Sequence, residues 1–244
     1  IIKTRKADIP GIVTTDNISC SLEAGESIKL QDMFVDTGLS KEELEKNKTH
    51  IGSFIALSKN AEIIGNNTII LGKALDDRIG CYILIETIKK IKKIKSELFF
   101  VFTVQEEVGL YGAKTSTYTI DPDIAIAIDV TDCDDRSANN AKALGHGPTI
   151  TIKDEEMITN PCVNEKILEI AKKKKIPLQP DVSDGGTTDA INISISKGGV
   201  PSTVLGVPVR GLHTPASLAS LKDIDNAILL LTSFIEDPPT ICVS

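Results

Sequence analysis

Tryptophan is absent from this chain of 244 residues, which contains only three tyrosines and six phenylalanines. Positive charge is also in short supply, because 27 Lys and Arg residues stand against 34 Asp and Glu residues, for a formal net charge of −7. Proteins that bind nucleic acids use basic surfaces that displace the counterions of the phosphates. The composition therefore argues against a nucleic-acid partner.

Long apolar runs and paired cysteines are missing too. No apolar stretch approaches the roughly 18 residues that a membrane-spanning helix needs, and no secretory signal is recognisable. The five cysteines are an odd number, and none lies in a Cys-x-x-Cys pair. This pattern disfavours a four-cysteine zinc site and an extracellular disulfide framework. We expect no membrane partner and a location in the reducing cytoplasm.

Residues 1–70 have the pattern of short strands and turns. Strands are predicted at residues 11–13, 27–30 and 69–71, the last after the turn signal Gly-Asn-Asn. One short helix is predicted after the capping box formed by Ser40 and Glu43. The region is therefore expected to be a small β-rich domain.

From residue 71 the pattern changes to helices alternating with apolar strands. Residues 98–104 and 124–130 are apolar without alternation, as in strands buried on both faces. Asn160 followed by Pro161 predicts the start of a helix, and an apolar stripe predicts another at residues 224–235. Strands alternating with helices indicate an α/β fold, with a mostly parallel sheet flanked by helices. The other predicted elements are a helix with an apolar face from Cys81 to Ile91 and a strand at residues 202–205.

Carboxylates and one imidazole follow the predicted strands and turns. Asp76 precedes a helix, Glu106 and Glu107 follow one buried strand, and Asp129 ends the next. His213 follows the apolar stretch near residue 205. Open α/β sheets place their sites beyond the strand ends, and so many carboxylates together call for a compensating cation. Carboxylate oxygen combined with imidazole suits zinc, cobalt or manganese.

Each of these residues, taken alone, has an ordinary structural explanation. Asp76 could cap a helix, Glu106 could face water, and His213 could form a hydrogen bond in a core. The common position of the whole set at strand ends favours a metal site over these explanations.

Two sequence blocks carry a resemblance to a known family. Residues 72–80, Gly-Lys-Ala-Leu-Asp-Asp-Arg-Ile-Gly, and residues 103–113, Thr-Val-Gln-Glu-Glu-Val-Gly-Leu-Tyr-Gly-Ala, resemble the tetrahedral, deblocking or glutamyl, aminopeptidases. These are two-metal peptidases, some of them labelled cellulase or endoglucanase. The resemblance implies the fold of co-catalytic zinc peptidases, with residues 71–244 as a catalytic domain that lacks its N-terminal part. Residues 1–70 would then be part of a dimerisation and assembly domain.

The resemblance also implies a site with two divalent metal ions per subunit, zinc or cobalt, and a bridging water. Asp76 would bridge the ions, Glu107 and His213 would complete the ligands of one ion, and Asp129 would bind the other. Glu106 would act as the general base. A cis peptide bond is implied between Asp76 and the next residue. Four further residues are candidates for orienting the ligands or contacting the substrate: Asp77, Arg78, Asp132 and Asp189.

One ligand of the family, a His in a His-x-Asp motif, has no counterpart in the sequence. Two interpretations stay open. An additional N-terminal segment could carry the motif, or the chain could be an inactive relative that holds a single metal ion. The start of the chain within an apparent strand and the retained Glu106 favour the first interpretation.

The function expected from the resemblance is hydrolysis of the N-terminal residue of peptides by a cytoplasmic homo-oligomer, with dimers assembling to a dodecamer. One alternative is a non-catalytic, metal-binding assembly subunit of the same family. Another is a glycosidase that uses a carboxylate pair, which would need no metal. Loss of hydrolysis on adding a chelator would dismiss the glycosidase.

Overall fold

The chain folds into two compact units, Ile1–Lys59 and Asn60–Ser244. They are defined here by a computed structural model. Within the described residues, no helix is both long enough and apolar enough to cross a membrane. The residues that the structure describes are 1–15, 29–58, 60–133, 135, 142–240 and 242.

The first unit contains short strands and one helix, as its sequence predicts. The capping box at Ser40 and Glu43 is present, with each side chain bonded to the backbone of the other residue. Of the predicted strand at residues 27–30, residues 27 and 28 lie outside the described residues, and Leu30 begins a 3-10 helix. The elements are β1 (Ile2–Lys3) paired with β2 (Asp8–Ile9), β3 (Ile12–Thr14) paired with β4 (Phe34–Asp36), the 3-10 helix Leu30–Asp32 and α1 (Lys41–Lys46).

The second unit is built on a seven-stranded sheet flanked by helices, which confirms the α/β fold class. Its strands are β5 (Glu62–Ile64), β6 (Ile69–Gly72), β7 (Ala125–Asp132), β8 (Thr149–Lys153), β9 (Gln179–Val182), β10 (Ser202–Arg210) and β11 (Ser217–Ser220). Its helices are α2 (Leu75–Lys90), α3 (Tyr111–Ile120), α4 (Pro161–Lys174), α5 (Asp189–Ser194) and α6 (Leu221–Glu236).

The sheet is mixed, whereas the sequence predicted a mostly parallel one. β10 pairs in parallel with β7 over eight residue pairs, and β8 pairs in parallel with β9. The pairs β5–β6, β6–β11, β11–β10 and β10–β8 are antiparallel. The connections explain two of these pairs, because β5–β6 and β10–β11 are joined by short loops, and parallel neighbours need a long crossover.

β5 and β6 belong to the sheet of the second unit. The strand at residues 69–71 was predicted to belong to the first domain, with the domain boundary at residue 70. Because Ile69–Gly72 pairs on both sides with strands of the large sheet, the compact units divide at Lys59 instead.

Helix α6 closes the core along the apolar stripe that the sequence predicted. Ile224, Ala227, Ile228 and Leu231 are buried in the same cluster as the strand residues of β10. The start of α4 is also as predicted, since the Asn160 side chain accepts a hydrogen bond from the Val163 N–H. These contacts make the strand ends a rigid platform for the loops that follow them.

The predicted strand at residues 98–104 is the main departure. These residues form neither a helix nor a strand and join no ladder within the described residues, although the flanking sequence folds as expected. Burial on both faces requires neighbours on the sheet, and this segment lacks them. The apolar sequence and the exposed conformation therefore disagree.

One disulfide joins Cys162 at the start of α4 to Cys242. The cysteine pattern disfavours an extracellular disulfide framework, and the described residues form one bridge, which is compatible with an odd number of cysteines. Cys81 and Cys133 are free thiols.

Candidate metal centre

Three potential metal ligands from distant parts of the sequence converge in the second unit. Asp76, Glu107 and His213 each present one ligand atom, and these three atoms lie within 4.8 Å of one another. Nε2 of His213 is 3.4 Å from Oδ2 of Asp76 and 3.7 Å from Oε2 of Glu107. The arrangement places two carboxylates and one imidazole around a common point.

Asp76 is held at the junction between β6 and α2. Ala74 has a left-handed backbone conformation (φ 50°), and the Asp76–Asp77 peptide bond is cis, as the resemblance implies. Asp76 and Asp77 have non-helical dihedral angles, so the regular helix begins after them. The side chain of Asp76 is therefore presented from a turn beyond the end of β6.

Glu106 and Glu107 lie in a tight turn that follows residues 98–104. Gln105 has a φ of 60°, and the Glu106 carbonyl accepts hydrogen bonds from the N–H groups of Gly109 (3.1 Å) and Leu110 (2.9 Å). Gly109 has a φ of 143°, which favours glycine. The turn thus positions both glutamates immediately before α3.

His213 is supplied by the loop between β10 and β11. Its φ is 56°, and Gly211 just before it has a φ of 74°. The loop is closed by Ser217 and Thr214, whose hydroxyls both donate to the Gly211 carbonyl (2.8 and 2.7 Å). A loop fixed in this way orients the imidazole toward the two carboxylates.

The carboxyl groups of the cluster repel one another. Burial, followed by the charge and hydrogen bonding of Glu107, raises the pKa of Asp76 to about 6. Burial, followed by the charges of Asp189, Glu107 and Asp76, raises the pKa of Glu106 to about 7. Negative charge is therefore concentrated here, and His213 offsets part of it.

Asp77 and Asp129 lie deeper in the same electrostatic cluster. Burial is the main factor that raises the pKa of Asp77 to about 7. The hydrogen bond that Asp77 accepts from the Gly80 N–H (2.9 Å) acts in the opposite direction and lowers this pKa. Burial and the charge of Asp77 raise the pKa of Asp129 well above its usual value. Oδ1 of Asp129 accepts a hydrogen bond from the Val130 N–H (2.7 Å).

Asp189 also belongs to this region, whereas Arg78 and Asp132 are more peripheral. Oδ2 of Asp189 accepts a hydrogen bond from the Thr103 hydroxyl (2.7 Å), and its Oδ1 is buried without a hydrogen-bond partner among the described residues. Burial raises the pKa of Asp189. Arg78 is exposed on the wall of a large cavity, and Asp132 is exposed on the wall of a smaller one.

The donor set fits a divalent metal ion of the zinc or cobalt type. Carboxylate oxygens and a neutral imidazole nitrogen are ligands that such ions prefer. The mutual repulsion of the carboxyl groups and the unpartnered Oδ1 of Asp189 both mark a place where positive charge would be stabilised. The negative charge of Asp76 contributes to the raised pKa of Asp129. Asp129 is not part of the group formed by Asp76, Glu107 and His213, however.

A cavity of about 610 Å³ opens beside the cluster. On its wall, Nζ of Lys142 lies 2.8 Å from Oδ1 of Asp181, and the Thr131 hydroxyl donates to Oδ2 of Asp181 (2.9 Å). This pair was not predicted from the sequence. The available signal was Asp181 at a buried position of the alternating strand β9.

Comparisons with known proteins agree with these features. The model of the M42 glutamyl aminopeptidase family matches residues 1–230. A putative aminopeptidase of Acetivibrio thermocellus is 38% identical over 227 residues, which cover 92% of this chain and 68% of that protein. The chain thus spans about two thirds of the length of this relative.

Solved structures show the same relationship. Aminopeptidase APDkam598 from Desulfurococcus kamchatkensis is 38% identical with a TM-score of 0.92, over 97% of this chain and 67% of that one. The TET1 peptidase of Pyrococcus horikoshii, described as assembling into a tetrahedron or a large octahedral shell, is 30% identical with a TM-score of 0.84, over 97% and 71%. A Thermotoga maritima structure described as an endoglucanase is 25% identical with a TM-score of 0.75, over 97% of this chain and 67% of that one. The endoglucanase label therefore also occurs among similar structures, as expected from the sequence. The chain belongs to the M42 glutamyl aminopeptidase family.

Proposed function

We propose that the chain is the catalytic part of a metal-dependent aminopeptidase that removes the N-terminal residue of peptides. The observation that carries this proposal is the convergence of Asp76, Glu107 and His213 beside Glu106. Family membership supports peptide hydrolysis as the reaction class.

Asp76, Glu107 and His213 would hold one divalent ion, and Asp76 together with Asp129 would contribute to a second. Bound zinc or cobalt ions would lower the pKa of the attacking water and act as Lewis acids toward the peptide carbonyl. Two ions per subunit are part of the proposal. Asp77 would support Asp76, its neighbour across the cis bond.

Glu106 is the proposed general base. Its carboxylate takes a proton from the attacking water as the water oxygen bonds to the carbonyl carbon, and it returns that proton to the leaving nitrogen as the C–N bond breaks. Without a bound metal ion, burial and the charges of Asp189, Glu107 and Asp76 raise the pKa of Glu106, and bound cations would lower it.

The free amino group of the substrate explains why only the first residue would be removed. It is positively charged, and the cavity of about 610 Å³ beside the cluster is lined by Glu106, Glu107 and Asp129. Carboxylates that face a bound ammonium group attract it. Asp132 on the same wall is a candidate for contact with the substrate side chain, and Asp189 for supporting Glu106.

The decisive experiment compares Glu106→Gln with the wild-type protein on leucyl, lysyl and glutamyl anilides with added zinc or cobalt. Glu106→Gln should lower turnover by about 10²- to 10⁴-fold and leave the bound metal unchanged. Glu107→Gln is the matched variant and should lower metal content as well. Turnover at the wild-type level in Glu106→Gln would refute the assignment of the base.

The two alternatives predict different outcomes of the same assay. A non-catalytic assembly subunit would bind metal but hydrolyse none of the anilides, and this would hold also when the full-length protein is assayed. A carboxylate-pair glycosidase, suggested by the endoglucanase title, would retain activity after chelation. Hydrolysis that a chelator abolishes and zinc restores supports the aminopeptidase.

We also propose that the unit Ile1–Lys59 mediates assembly into dimers and then a dodecamer. Among its described residues, Ile51 and Phe54 are largely exposed apolar side chains, as are Ile12 and Leu30. Several exposed apolar side chains on one unit are typical of a contact between subunits. Light scattering should give a species of twelve chains of 26.2 kDa each, plus any further segment; a monomer would contradict the proposal.

A cytoplasmic location remains a prediction. It was made from the odd number of cysteines and the lack of a Cys-x-x-Cys pair, and the Cys162–Cys242 bridge counts against it. Fractionation of the native cells tests it. Recovery of the Cys162–Cys242 bridge in oxidised form from those cells would argue against a reducing compartment.

A further inference from the structure

Helix α5 is bonded to both ends of the turn that carries the two glutamates. This turn, residues 105–110, is called the glutamate turn below. Oδ2 of Asp189, the first residue of α5, accepts a hydrogen bond from the hydroxyl of Thr103, just before the turn (2.7 Å). One helical turn later, Nδ2 of Asn192 donates to the carbonyl of Leu110, the last residue of the turn (3.0 Å). One short helix therefore brackets the glutamate turn.

The backbone of the glutamate turn needs such support. Gln105 (φ 60°) and Leu110 (φ 56°) are both left-handed, which is unfavourable for residues with a Cβ atom. Conformations of this kind persist only where surrounding contacts hold them. Outside the metal cluster, two hydrogen bonds tie Thr103 and the turn to distant elements of the described chain, and both come from α5. The position of the turn therefore depends on α5.

Helix α5 is itself fixed on the sheet. Its residue Ala190 is completely buried and packs in one cluster with Ala127 of β7 and Val204 of β10. Ala127 is two residues before Asp129, so the two side chains lie on the same face of β7. Helix α5 thus links the strand that presents Asp129 to the turn that presents the glutamates.

The same helix borders the cavity beside the metal cluster. Asn192 and the loop 185–188 before α5 lie on the wall of this cavity. The loop is held on its other side, where the Gly186 N–H donates to the side chain of Glu155 (2.9 Å). Asn192 could therefore contact the substrate or position the turn. Its amide is directed at the Leu110 carbonyl, which favours the second role.

We propose that Asn192 is a positioning residue for Glu106. Its hydrogen bond fixes the glutamate turn against α5, and α5 fixes the turn against β7. General-base catalysis requires the base to lie within hydrogen-bond reach of the proton that it takes. The effect on catalysis rests on the proposed aminopeptidase function, whereas the control of the turn does not.

Residue-specific amide exchange tests control of the turn without an assay of activity. The N–H groups of Gly109 and Leu110 donate within the turn, so their exchange reports its opening. In the full-length protein, Asn192→Ala should speed exchange at both amides by about tenfold, because a hydrogen bond that holds the turn is lost. The amide of Gln179, hydrogen-bonded at the start of β9, is the internal control and should exchange at the wild-type rate.

Two further variants separate the hydrogen bond from packing. Asn192→Asp keeps the volume of the side chain and replaces its donor with a carboxylate, so it should behave like Asn192→Ala. Ser194→Ala removes a hydroxyl of the same helix that donates to the Ile191 carbonyl within α5 (2.8 Å). Ser194→Ala should match the wild type in every measurement.

Steady-state kinetics separate positioning from contact with the substrate. Displacement of the base should lower kcat of both Asn192 variants by about 10- to 100-fold on the anilides at saturating zinc. KM should stay within about twofold of the wild-type value, because the interaction is not made with the substrate. Direct contact between Asn192 and the substrate would instead raise KM and leave kcat unchanged.

Three results would overturn the proposal. Wild-type exchange at Gly109 and Leu110 in both Asn192 variants would show that α5 does not hold the turn. Equally faster exchange at Gln179 would assign the effect to the stability of the whole unit. A rise in KM alone would make Asn192 a substrate contact. If the wild type hydrolyses no anilide, the proposed function fails, and amide exchange still decides whether Asn192 holds the turn.

Discussion

Nε2 of His213 lies 3.4 Å from Oδ2 of Asp76, although the two residues are far apart in the sequence, with strands β7 to β10 between them. Glu107 is similarly close to the same nitrogen. No single element could bring these groups together, since Asp76 follows β6 and His213 follows β10. The sheet therefore determines the site, and the predictions below test particular supports of that arrangement.

Removing the imidazole should weaken metal binding more than it affects the fold. Even residues that only support metal ligands alter affinity by about 10- to 100-fold. We therefore expect His213→Ala to lower the affinity for zinc or cobalt by about 100-fold or more, measured by calorimetric titration. The side chain is in an exposed loop, so the melting temperature without metal should hardly change.

His146→Ala is the matched control for this substitution. His146 is exposed. Within the described part of the chain, its side chain has one hydrogen-bond contact, between Nδ1 and the Leu144 carbonyl (3.1 Å). Its removal should leave metal affinity unchanged. Equal losses in the two variants would show that the titration reports nonspecific binding to imidazoles.

Gly80 supports the cluster by leaving room for the Asp77 carboxylate. A Cβ atom at Gly80 would overlap Oδ2 of Asp77, whose Oδ1 accepts the Gly80 N–H. Gly80→Ala should displace this carboxylate and lower metal affinity or activity by about 10- to 100-fold. Gly198→Ala, at an exposed position with open space, should match the wild type in both measurements. Wild-type metal affinity in Gly80→Ala would argue against a supporting role for Asp77.

Local patterns in the sequence were sufficient for α1, α2, α4 and α6, whereas α3 and α5 were not predicted. The stripe on α6 and the caps at Ser40 and Asn160 depend on neighbouring residues, and the structure confirms them. The mixed sheet was not predictable in the same way, because strand direction depends on which distant strands meet. The resemblance identified the family correctly, and the roles that it implies for the site residues stay predictions.

Features that need a distant partner were missed or wrongly predicted. A strand at residues 98–104 was predicted, but they pair with no strand within the described residues, and their own sequence cannot specify a neighbour. The Lys142–Asp181 pair joins two segments whose contact depends on the order of β7, β8 and β9. The same applies to the bridge between Cys162 and Cys242, which are 80 residues apart.

That bridge should stabilise the second unit measurably. Closing a loop of 80 residues reduces the entropy of the unfolded chain, by about 4 kcal/mol in free energy on the simplest model. Cys162→Ser should therefore lower the free energy of unfolding by about 2–4 kcal/mol, measured by urea denaturation without reductant. Cys81→Ser, which removes an exposed free thiol, should have little effect.

Reductant provides the internal check for the cysteine variants. With the bridge reduced, the wild type and Cys162→Ser should unfold at nearly the same urea concentration. A difference that persists in reductant would mean that the serine disturbs packing at the start of α4 rather than removing a crosslink.

The last prediction concerns the ion pair between Arg210 and Asp135. Nε and Nη2 of Arg210 donate to the two carboxylate oxygens of Asp135 at 2.6 and 2.7 Å, a bidentate arrangement. These hydrogen bonds lower the pKa of Asp135. A carboxyl whose pKa is lower in the folded state stabilises the fold above its unfolded-state pKa of about 3.9. That contribution is lost as the pH falls through the lower, folded-state pKa.

Asp135→Asn should therefore lower the free energy of unfolding by about 1–2 kcal/mol at pH 7, since the Arg210 side chain is partly exposed and water weakens the pair. The deficit should be the same at pH 5.5 and should shrink only below about pH 4. Urea denaturation at pH 7, 5.5 and 3.5 measures it, with Asp184→Asn as the control for an exposed pair with Lys153. A deficit that disappeared between pH 7 and 5.5 would assign the effect to another group, because Asp135 stays ionised throughout that interval.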